Sequence, residues 1–338
     1  MPMNGDDAAL SPGADHAALS AAAGAPVRVL ARRLLSGGAI QQNWALDVER
    51  GGAPEAWVLR QDNAATLAVS LPRAAEFALL RAAFDAGAPV PEPLFTIAEP
   101  PSFVMRRVAG TASGHVLAKA AAAQGGHGGG DAALVRACGA ALRRIHAITP
   151  PRADLAFLGE PPADPALAFV AAMEARLDAA GTPRPVLEWG LAALRRHAPA
   201  PLPPVLNHND FRTGNIMVEG GRITGVLDWE FAAWGDPHAD LGWFCAPCWR
   251  FGNLALEAGG LGPRDAFLDG YGPDVDPTRL PFWELAASIR WAVIAADQAA
   301  RHLSGAEPSL ELALTGHIIP ALEADILAQV EAMDAGTA

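Results

Sequence analysis

The sequence predicts an α+β protein with two lobes: a small N-terminal antiparallel β lobe with one main helix, and a large, mostly helical C-terminal lobe. Two patterns support this division. Residues 44–49 alternate with a period of two, which is typical of half-buried strands, and from residue 131 the apolar residues recur at helical spacing. We therefore predict an N-terminal lobe at 27–108 and a C-terminal lobe at 109–335, after a disordered tail at 1–26.

Composition limits the classes of function. The chain has 338 residues, of which 51% are hydrophobic, enough for a substantial core in a soluble globular protein. The formal net charge of −12 argues against a nucleic-acid partner, because neutralising phosphates needs clustered cations. Three cysteines are too few for a disulfide framework, and we see neither a signal peptide nor an apolar run of membrane-spanning length. We expect a cytoplasmic protein with no membrane partner; its oligomeric state stays open.

The first 26 residues carry almost no large apolar side chains, so we expect a mobile tail, with a short helix possible near Ala17–Ala22. Order is expected from Val27 onwards. The alternation at residues 44–49 predicts a strand, Arg50–Pro54 a turn, and Glu55–Arg60 a returning strand, which together make a hairpin.

Two glycines precede this hairpin. Ser36, Gly37 and Gly38 are candidates for a backbone cradle that binds phosphate, because glycine lets amide groups approach a phosphate closely. Taken alone, two adjacent glycines more often form an ordinary turn.

A helix is predicted from Pro72 to Ala86, with Gly87 as its stop signal. Its expected apolar stripe consists of Phe77, Leu80 and Phe84. Glu76 borders that stripe, and a carboxylate at the edge of a buried face needs a cation, for which Arg60 is the natural candidate. The alternative is a solvated Glu76 that pairs with Arg73 or Arg81.

The remaining elements follow from periodicity and from cap residues. Strands are predicted at Leu94–Ala98 and Ser102–Val108, and a flexible glycine-rich linker or loop at Ala120–Asp131. Leu134, Cys138, Leu142 and Ile145 share one helical face. Further helices are predicted after the N-cap Asp164 as far as Gly181, and at about 185–197, 264–271, 280–303 and 309–333.

The most informative stretch runs from residue 207 to 243. It places His208, Asp210, Asn215 and Asp228 around a predicted hairpin with a Gly220-Gly221 turn. A carboxylate, an amide five residues later and a second carboxylate after a strand form the pattern of a phosphoryl-transfer site, in which the amide and the second carboxylate hold magnesium. The alternative is a polar surface hairpin.

The motifs H-N-D-F-R-T-G-N, V-L-D-W-E and G-D-P-H-A-D-L-G-W resemble those of the aminoglycoside phosphotransferase and choline kinase superfamily. The N-terminal pieces L-S-G-G, V-L-R and F-V-M-R-R-V-A-G agree, so the resemblance spans residues 27–330. It implies a protein-kinase-like bilobal fold, ATP or GTP as the nucleotide, Mg²⁺ as the metal, and a hydroxyl-bearing small molecule as the acceptor.

The resemblance also implies roles for individual residues. Asp210 is then the catalytic base, His208 braces the catalytic loop, and Asp240 anchors that loop from the following helix. Asn215 and Asp228 are the implied metal ligands. The implied nucleotide-binding residues are Ser36, Gly37, Gly38, Arg60, Glu76 and Met105.

Three positions depart from the family pattern. Asn209 stands where many relatives have glycine, a change we expect to be tolerated, and Trp229-Glu230 stands where protein kinases have Phe-Gly. Arg60 occupies the usual place of a phosphate-binding lysine, and Lys119, the sole lysine, follows the hinge. The arginine version is similar to a branch that includes kinase-like domains fused to some acyl-CoA dehydrogenases. This similarity implies a hydroxylated acyl or another non-antibiotic substrate.

The acceptor side is less defined. Acidic residues outnumber arginines after residue 260, so an amine acceptor held against Trp249, Tyr271 and Trp283 is one interpretation, and a solvated acidic face with core tryptophans is the other. We interpret Cys245 and Cys248 as incidental, because no second pair of metal ligands is visible.

Two functions therefore stay open. The first is a small-molecule kinase, and the second is a degenerate module that binds a nucleotide or metabolite without transfer. A protein kinase fits least, because no long activation segment separates Asp228 from Asp240.

Overall fold

The computed structural model describes residues 12–35, 41–62, 71–124, 129–305 and 307–336. The chain forms two compact units. The first comprises Met1–Asp85 and Val90–Ala109, and the second comprises Ala86–Pro89 and Gly110–Ala338. The main break between the units lies one residue beyond the position that the sequence predicts.

The N-terminal unit is built on a five-stranded antiparallel sheet. Its elements are α1 (Pro12–Ala23), β1 (Val27–Leu34), β2 (Gln41–Arg50), β3 (Ala53–Asp62), α2 (Arg73–Asp85), β4 (Pro93–Ile97) and β5 (Ser102–Arg106). The strands lie in the order β1-β2-β3-β5-β4. Gly51 and Gly52 join β2 to β3 with φ values of 57° and 90°, which glycine adopts without strain. The predicted hairpin is therefore confirmed.

Residues 12–26 are not a mobile tail, so that part of the prediction is wrong. Helix α1 packs Leu19, which is 2% exposed, into the apolar core of the sheet, and the Ser20 hydroxyl pairs with the backbone of Val27. Alanines surround Leu19, and their small side chains let the helix approach the sheet closely, so one large apolar residue suffices. Residues 1–11 lie outside the described part of the chain.

Helix α2 buries only part of the predicted stripe, because Leu80 is buried and Phe77 is half-buried but Phe84 is not. Leu79 and Leu80 are buried, whereas Phe84 is 37% exposed and stacks with Arg81. The prediction of Phe84 as a core residue is therefore wrong. Small residues explain the difference, because Ala75, Ala82 and Ala83 occupy the buried face and bring the helix backbone against the sheet.

The C-terminal unit is mostly helical. Its helices are α3 (Gly114–Gln124), α4 (Ala132–His146), α5 (Pro165–Ala180), α6 (Pro185–Arg196), α7 (Pro237–Cys245), α8 (Arg264–Tyr271), α9 (Leu280–Leu303), α10 (Leu310–Gly316) and α11 (Ile319–Asp334). Short 3₁₀ turns occur at Ala153–Leu158, Pro247–Trp249 and Pro277–Arg279. Two antiparallel strand pairs complete the unit: β6 (Val205–Asn207) with β9 (Ala233–Gly235), and β7 (Ile216–Glu219) with β8 (Arg222–Val226).

Two sequence predictions in this unit need correction. The predicted flexible stretch at 120–131 is helical as far as Gln124, and Ala121 is buried there; residues 125–128 lie outside the described part of the chain. The single helix predicted at 309–333 is two helices, α10 and α11. Pro320 accounts for the break, since proline lacks an N–H and its ring clashes with the carbonyl four residues earlier.

The predicted core of the helical unit is confirmed. Cys138, Leu142 and Ile145 on α4 are each fully buried, and α5 begins at the N-cap Asp164 and ends at Gly181 as predicted. A second cluster joins α5, α6, α9 and α11, where Ile289 lies among the central residues. Within the described ranges, every helix is too short or too polar to span a bilayer.

Candidate active site

The predicted catalytic loop, residues 208–215, joins β6 to β7 and is fixed by both strands that flank it. Asn207 ends β6 opposite Ala233 of β9, and its side-chain Nδ2 donates to the Asp236 carbonyl at 2.8 Å. Ile216 opens β7 opposite Val226 of β8. Both ends of the loop are therefore held by sheet hydrogen bonds.

Asp240 anchors the loop from helix α7. Its Oδ2 accepts the backbone N–H of His208 and its Oδ1 that of Asn209, each at 2.7 Å, and His146 Nε2 lies 3.2 Å from Oδ2. The side chain is fully buried. Burial acts to raise the pKa of Asp240, but the hydrogen bonds from His146 and His208 outweigh it, so the pKa lies below its ordinary value. The predicted anchoring role is confirmed by these contacts.

The backbone of Asn209 explains why the position tolerates asparagine in place of glycine. Its φ is +59°, in the left-handed region that glycine enters freely and that asparagine enters more readily than other residues. The side-chain Nδ2 donates to the Phe231 carbonyl at 3.0 Å, which holds this conformation.

His208 is buried and braces the loop. Its Nε2 lies 2.9 Å from the Leu227 carbonyl, its Nδ1 accepts the backbone N–H of Asp210 at 3.2 Å, and its ring packs edge-on against Trp229. These partners fit a neutral ring protonated at Nε2. Burial lowers the pKa of His208, against the opposing charges of Asp240 and Asp210. The contacts of His208 are thus with the loop and with the end of the hairpin.

Asp210 is held by three side-chain donors. Oδ1 accepts hydrogen bonds from Arg212 Nε and Trp243 Nε1, both at 3.1 Å, and Oδ2 accepts one from Asn215 Nδ2 at 2.5 Å. The carboxylate keeps 13% of its side-chain surface accessible. It is therefore oriented by its neighbours and still partly accessible to solvent.

Asn215 and Asp228 flank the hairpin β7–β8 as predicted. The Leu227 N–H donates to the Asn215 carbonyl at 2.8 Å, so Asp228 follows the residue that pairs with Asn215. The amide Nδ2 of Asn215 donates to both the carbonyl and the carboxylate of Asp210, which leaves Oδ1 as the acceptor of that side chain. Asp228 has a φ of +61°, a strained conformation for a residue with a Cβ, of the kind that clusters at functional sites. An amide oxygen and a carboxylate are hard ligands that suit Mg²⁺.

In the N-terminal unit, Glu76 pairs with two arginines. Arg60 Nε lies 2.8 Å from Glu76 Oε1, and Arg73 forms a short contact with Oε2. The three residues are 4%, 2% and 2% exposed, respectively. The predicted Arg60–Glu76 pair is confirmed. The alternative of a solvated Glu76 is wrong, although its suggested partner Arg73 is present.

Met105 is the one other predicted nucleotide-binding residue within the described part of the chain. Met105 is half-buried on β5, where it lies opposite Val58 of β3 and Pro93 of β4. Ser36, Gly37 and Gly38 fall outside the described residues.

Three residues around Asp210 were not among the predicted site residues: Arg212, Trp243 and Arg290. Arg212 stacks 4.6 Å from the Trp249 ring centroid, Trp249 lies 5.1 Å from Trp243, and Arg290 stacks 4.5 Å from Trp243 on α7. Arg290 Nη1 also donates to the Asn209 carbonyl at 2.6 Å. Arg212 and Trp243 lie within the motif region at 207–243, so the sequence motifs include them. Arg290 is distant in sequence, and only the fold brings it near Asp210.

The aromatic residues that could hold an amine acceptor, Trp249, Tyr271 and Trp283, are buried. Tyr271 bonds His146 at 2.9 Å, and Trp249 packs between Trp243 and Trp291. Cys245 and Cys248 are free thiols whose pKa burial raises well above the ordinary value. Within the described residues, no group of three or more His, Cys, Asp or Glu side chains is placed to hold a metal.

Comparison with known structures identifies the same architecture. A provisionally assigned aminoglycoside phosphotransferase from Ralstonia eutropha superposes with a TM-score of 0.70 at 17% identity, covering 95% of this chain and 98% of that one. Macrolide 2'-phosphotransferase MphH from Brachybacterium faecium gives 0.56 at 20% identity, covering 90% and 96%. A thermostable mutant of aminoglycoside phosphotransferase APH(4)-Ia, solved with AMP-PNP and hygromycin B, gives 0.59 at 17% identity, covering 94% and 98%.

These similarities confirm the predicted kinase-like α+β fold. No curated protein sequence matches the chain closely enough to serve as a relative. The family model of the phosphotransferase enzyme family matches residues 31–283, a range that includes Asp210, Asn215 and Asp228. The chain therefore belongs to the phosphotransferase enzyme family.

Proposed function

We propose that this protein is a small-molecule kinase that transfers the γ-phosphoryl group of ATP or GTP to a hydroxyl group. The observation that carries the proposal is the setting of Asp210. Three donors fix its carboxylate, and one of them, Asn215, belongs with Asp228 to the hairpin that supplies hard oxygen ligands. Phosphoryl transfer depends mainly on such positioning and on charge neutralisation.

In this reaction Asp210 orients the acceptor hydroxyl and takes its proton. The acceptor oxygen forms a bond to the γ-phosphorus, while the bond between the γ-phosphorus and the bridging β–γ oxygen breaks and the nucleoside diphosphate leaves. Trp243 and Arg212 hold Oδ1 and Asn215 holds Oδ2, so the carboxylate meets the acceptor in one orientation.

Asn215 and Asp228 would hold Mg²⁺, for which their oxygens are suitable ligands. When bound, the ion neutralises charge on the nucleotide phosphates. Two protein ligands fit a metal whose remaining positions are filled by phosphate oxygens and water. Nδ2 of Asn215 is committed to Asp210, so the same residue orients the base and offers Oδ1 to the metal.

Arg60 is the proposed phosphate-binding cation. Its pairing with Glu76 at 2.8 Å supports this role, because the pair holds a buried guanidinium in one orientation. Arginine differs from lysine in reach and geometry. For this reason a second candidate function, nucleotide or metabolite binding without transfer, is retained; the complete set of Asp210, Asn215 and Asp228 favours the kinase.

The decisive experiment combines a thermal-shift assay with a phosphate-transfer screen. The kinase predicts that ATP or GTP raises the melting temperature in the presence of Mg²⁺, that Asp228→Ala removes this effect, and that Asp210→Asn keeps it while abolishing transfer. Asp269→Asn, an exposed carboxylate paired with Arg136, is the matched control and should behave like the wild type. Full transfer by Asp210→Asn would exclude the assigned base, and nucleotide binding without any transfer would favour the binding module.

A further inference from the structure

A cavity of about 350 Å³ lies beside the catalytic loop, entirely within the C-terminal unit. Helices α5, α7 and α9 and strand β9 form its walls. Phe169, Trp243, Trp283 and Ala286 supply apolar surface, and Asn209 and Arg290 are among its polar lining residues. Asn209 directly precedes Asp210, and Trp243 donates a hydrogen bond to the Asp210 carboxylate. The cavity is thus lined by the residue that precedes the proposed base and by a tryptophan that is hydrogen-bonded to it.

The charged residues that line the cavity differ in whether they are already paired with other groups of the protein. Asp240 is fully buried and accepts hydrogen bonds from two backbone N–H groups and a histidine. Asp236 is 2% exposed and is paired with Arg279 and His238. Both carboxylates are therefore compensated and turned away from solvent, so they offer no free negative charge to a ligand.

Arg290 differs from both. Its recorded contacts are the Asn209 carbonyl and the face of Trp243, and among the described residues no carboxylate lies within salt-bridge distance of it. Burial lowers the pKa of Arg290, while the charges of Asp210 and Asp240 act in the opposite direction. Arg290 is half-buried, and a guanidinium partly removed from water gains more from an anion than an exposed one does, because low local polarity strengthens the attraction.

Two further polar atoms point to a ligand with hydrogen-bonding groups. Trp283 Nε1 and Asn207 Oδ1 belong to residues that line the cavity, are inaccessible to solvent, and have no hydrogen-bond partner within the described part of the chain. Buried polar groups in native proteins are normally satisfied. These atoms mark the cavity wall as a place where a small shift of a side chain on ligand binding would gain a hydrogen bond.

We propose that this cavity is the acceptor site and that it selects a hydroxyl compound with an apolar body and a carboxylate, held by Arg290. This inference rests on the proposed kinase activity and names the substrate class of the same site. A polycationic amino sugar does not fit, because the available charge in the cavity is positive and the walls are apolar. The carboxylate binds the guanidinium, the apolar body lies against Trp243 and Phe169, and the hydroxyl reaches Asp210.

The test is a matched panel of acceptors. It contains straight-chain hydroxy acids from hydroxybutanoate to hydroxydecanoate and mandelate, each beside its primary amide, together with an amino alcohol and kanamycin. Transfer is followed with Mg-ATP, and binding of each acid and amide is measured by calorimetry. The acids should bind about tenfold or more tightly than their amides, the difference expected for a charge-assisted contact.

Variants assign this preference to Arg290. Arg290→Gln should make acid and amide equivalent, and Arg290→Lys should restore part of the preference, since it keeps the charge. Arg301→Gln, on the same helix but paired with Glu307, is the control and should leave the ratio unchanged. Melting temperatures show whether each variant is folded.

The outcomes separate this inference from the kinase proposal. Transfer to kanamycin or the amino alcohol with no preference for the acids would overturn the inference and leave the kinase intact. A preference for acids that persists in Arg290→Gln would overturn the role of Arg290. Nucleotide binding with no transfer to any acceptor, combined with equal binding of acids and amides, would overturn both.

Discussion

The carboxylate of Asp240 accepts the backbone N–H of His208 at 2.7 Å, so the first turn of α7 holds the start of the catalytic loop directly. The same carboxylate holds Asn209 and contacts His146. One buried side chain thereby satisfies two loop amides that precede Asp210, and the position of the proposed base depends on it.

Replacing Asp240 should therefore damage both stability and transfer. Asparagine has one side-chain oxygen where aspartate has two, so it cannot accept both backbone N–H groups. Asp240→Asn therefore leaves a buried donor unsatisfied and should lower the free energy of unfolding by about 3 kcal/mol. Urea denaturation and steady-state kinetics measure the two effects. Asp269→Asn serves as the exposed control, and an unchanged transfer rate in Asp240→Asn would contradict the anchoring role.

The neutral state of His208 gives a pH dependence with a definite sign. Since its pKa is lowered in the folded protein, its contribution is complete above the unfolded pKa of about 6.5 and is lost as the pH falls below that value. The stability advantage of the wild type over His208→Gln should shrink from pH 8 to pH 5, by at most about 1.4 kcal/mol per pH unit. The exposed His317→Gln variant is the control, and a constant difference would contradict a buried neutral ring.

Glu76 offers a matched pair of variants, because it binds both Arg60 and Arg73. Arg60→Met and Arg73→Met each leave Glu76 with one cation, so both should remain folded and lose a similar stability, on the order of 2 kcal/mol. Only Arg60→Met should weaken the stabilisation by Mg-ATP and raise the KM for ATP. Equal effects of the two variants on nucleotide binding would show that Arg60 has no special role.

The indole of Trp243 should contribute to the reaction through its Nε1 hydrogen bond to Asp210 Oδ1. Trp243→Phe keeps the ring beside Arg290 and removes that donor, so kcat should fall about tenfold, the equivalent of one hydrogen bond to a charged group. Trp291→Phe, in the same aromatic cluster, should leave kcat unchanged. A fall in kcat of equal size in both variants would indicate loss of packing instead.

Gly242 sets the distance between α7 and α9. A Cβ there would lie 2.5 Å from the Trp283 Cβ and 2.6 Å from the Trp283 carbonyl carbon, which has no freedom to move aside. Gly242→Ala should cost about 1–3 kcal/mol of stability, the usual range for overpacking. Transfer should fall as well, since α7 carries Asp240 and Trp243. Wild-type stability in this variant would show that the helices separate readily.

The local patterns in the sequence were sufficient for most elements and for the polar centre of the site. Alternation predicted the β2–β3 hairpin, and helical spacing and caps predicted α4, α5, α8 and α9 closely. The placement of Asp210, Asn215 and Asp228 could be predicted because a single hairpin connects them. Their physical setting is local in sequence, so spacing alone constrains it.

Three of the failures share one cause. Helix α1, the buried face of α2 and the extent of α3 all depend on alanines that allow close backbone packing, and alanine gives no strong periodic signal. Arg290 is missed for a different reason. Its contacts with Asn209 and Trp243 join segments far apart in the chain, and only tertiary structure brings them together.

The short connection between Asp228 and Asp236 has a consequence for control of the protein. Residues 229–232 lead directly into β9, which is followed by the N-cap of α7, and Trp229 is buried against His208. The loop that carries Asp210 is consequently held in place by contacts within the C-terminal unit itself. Under the proposed kinase function, we therefore expect the protein to transfer phosphate as folded, at a rate set by the concentrations of nucleotide and acceptor.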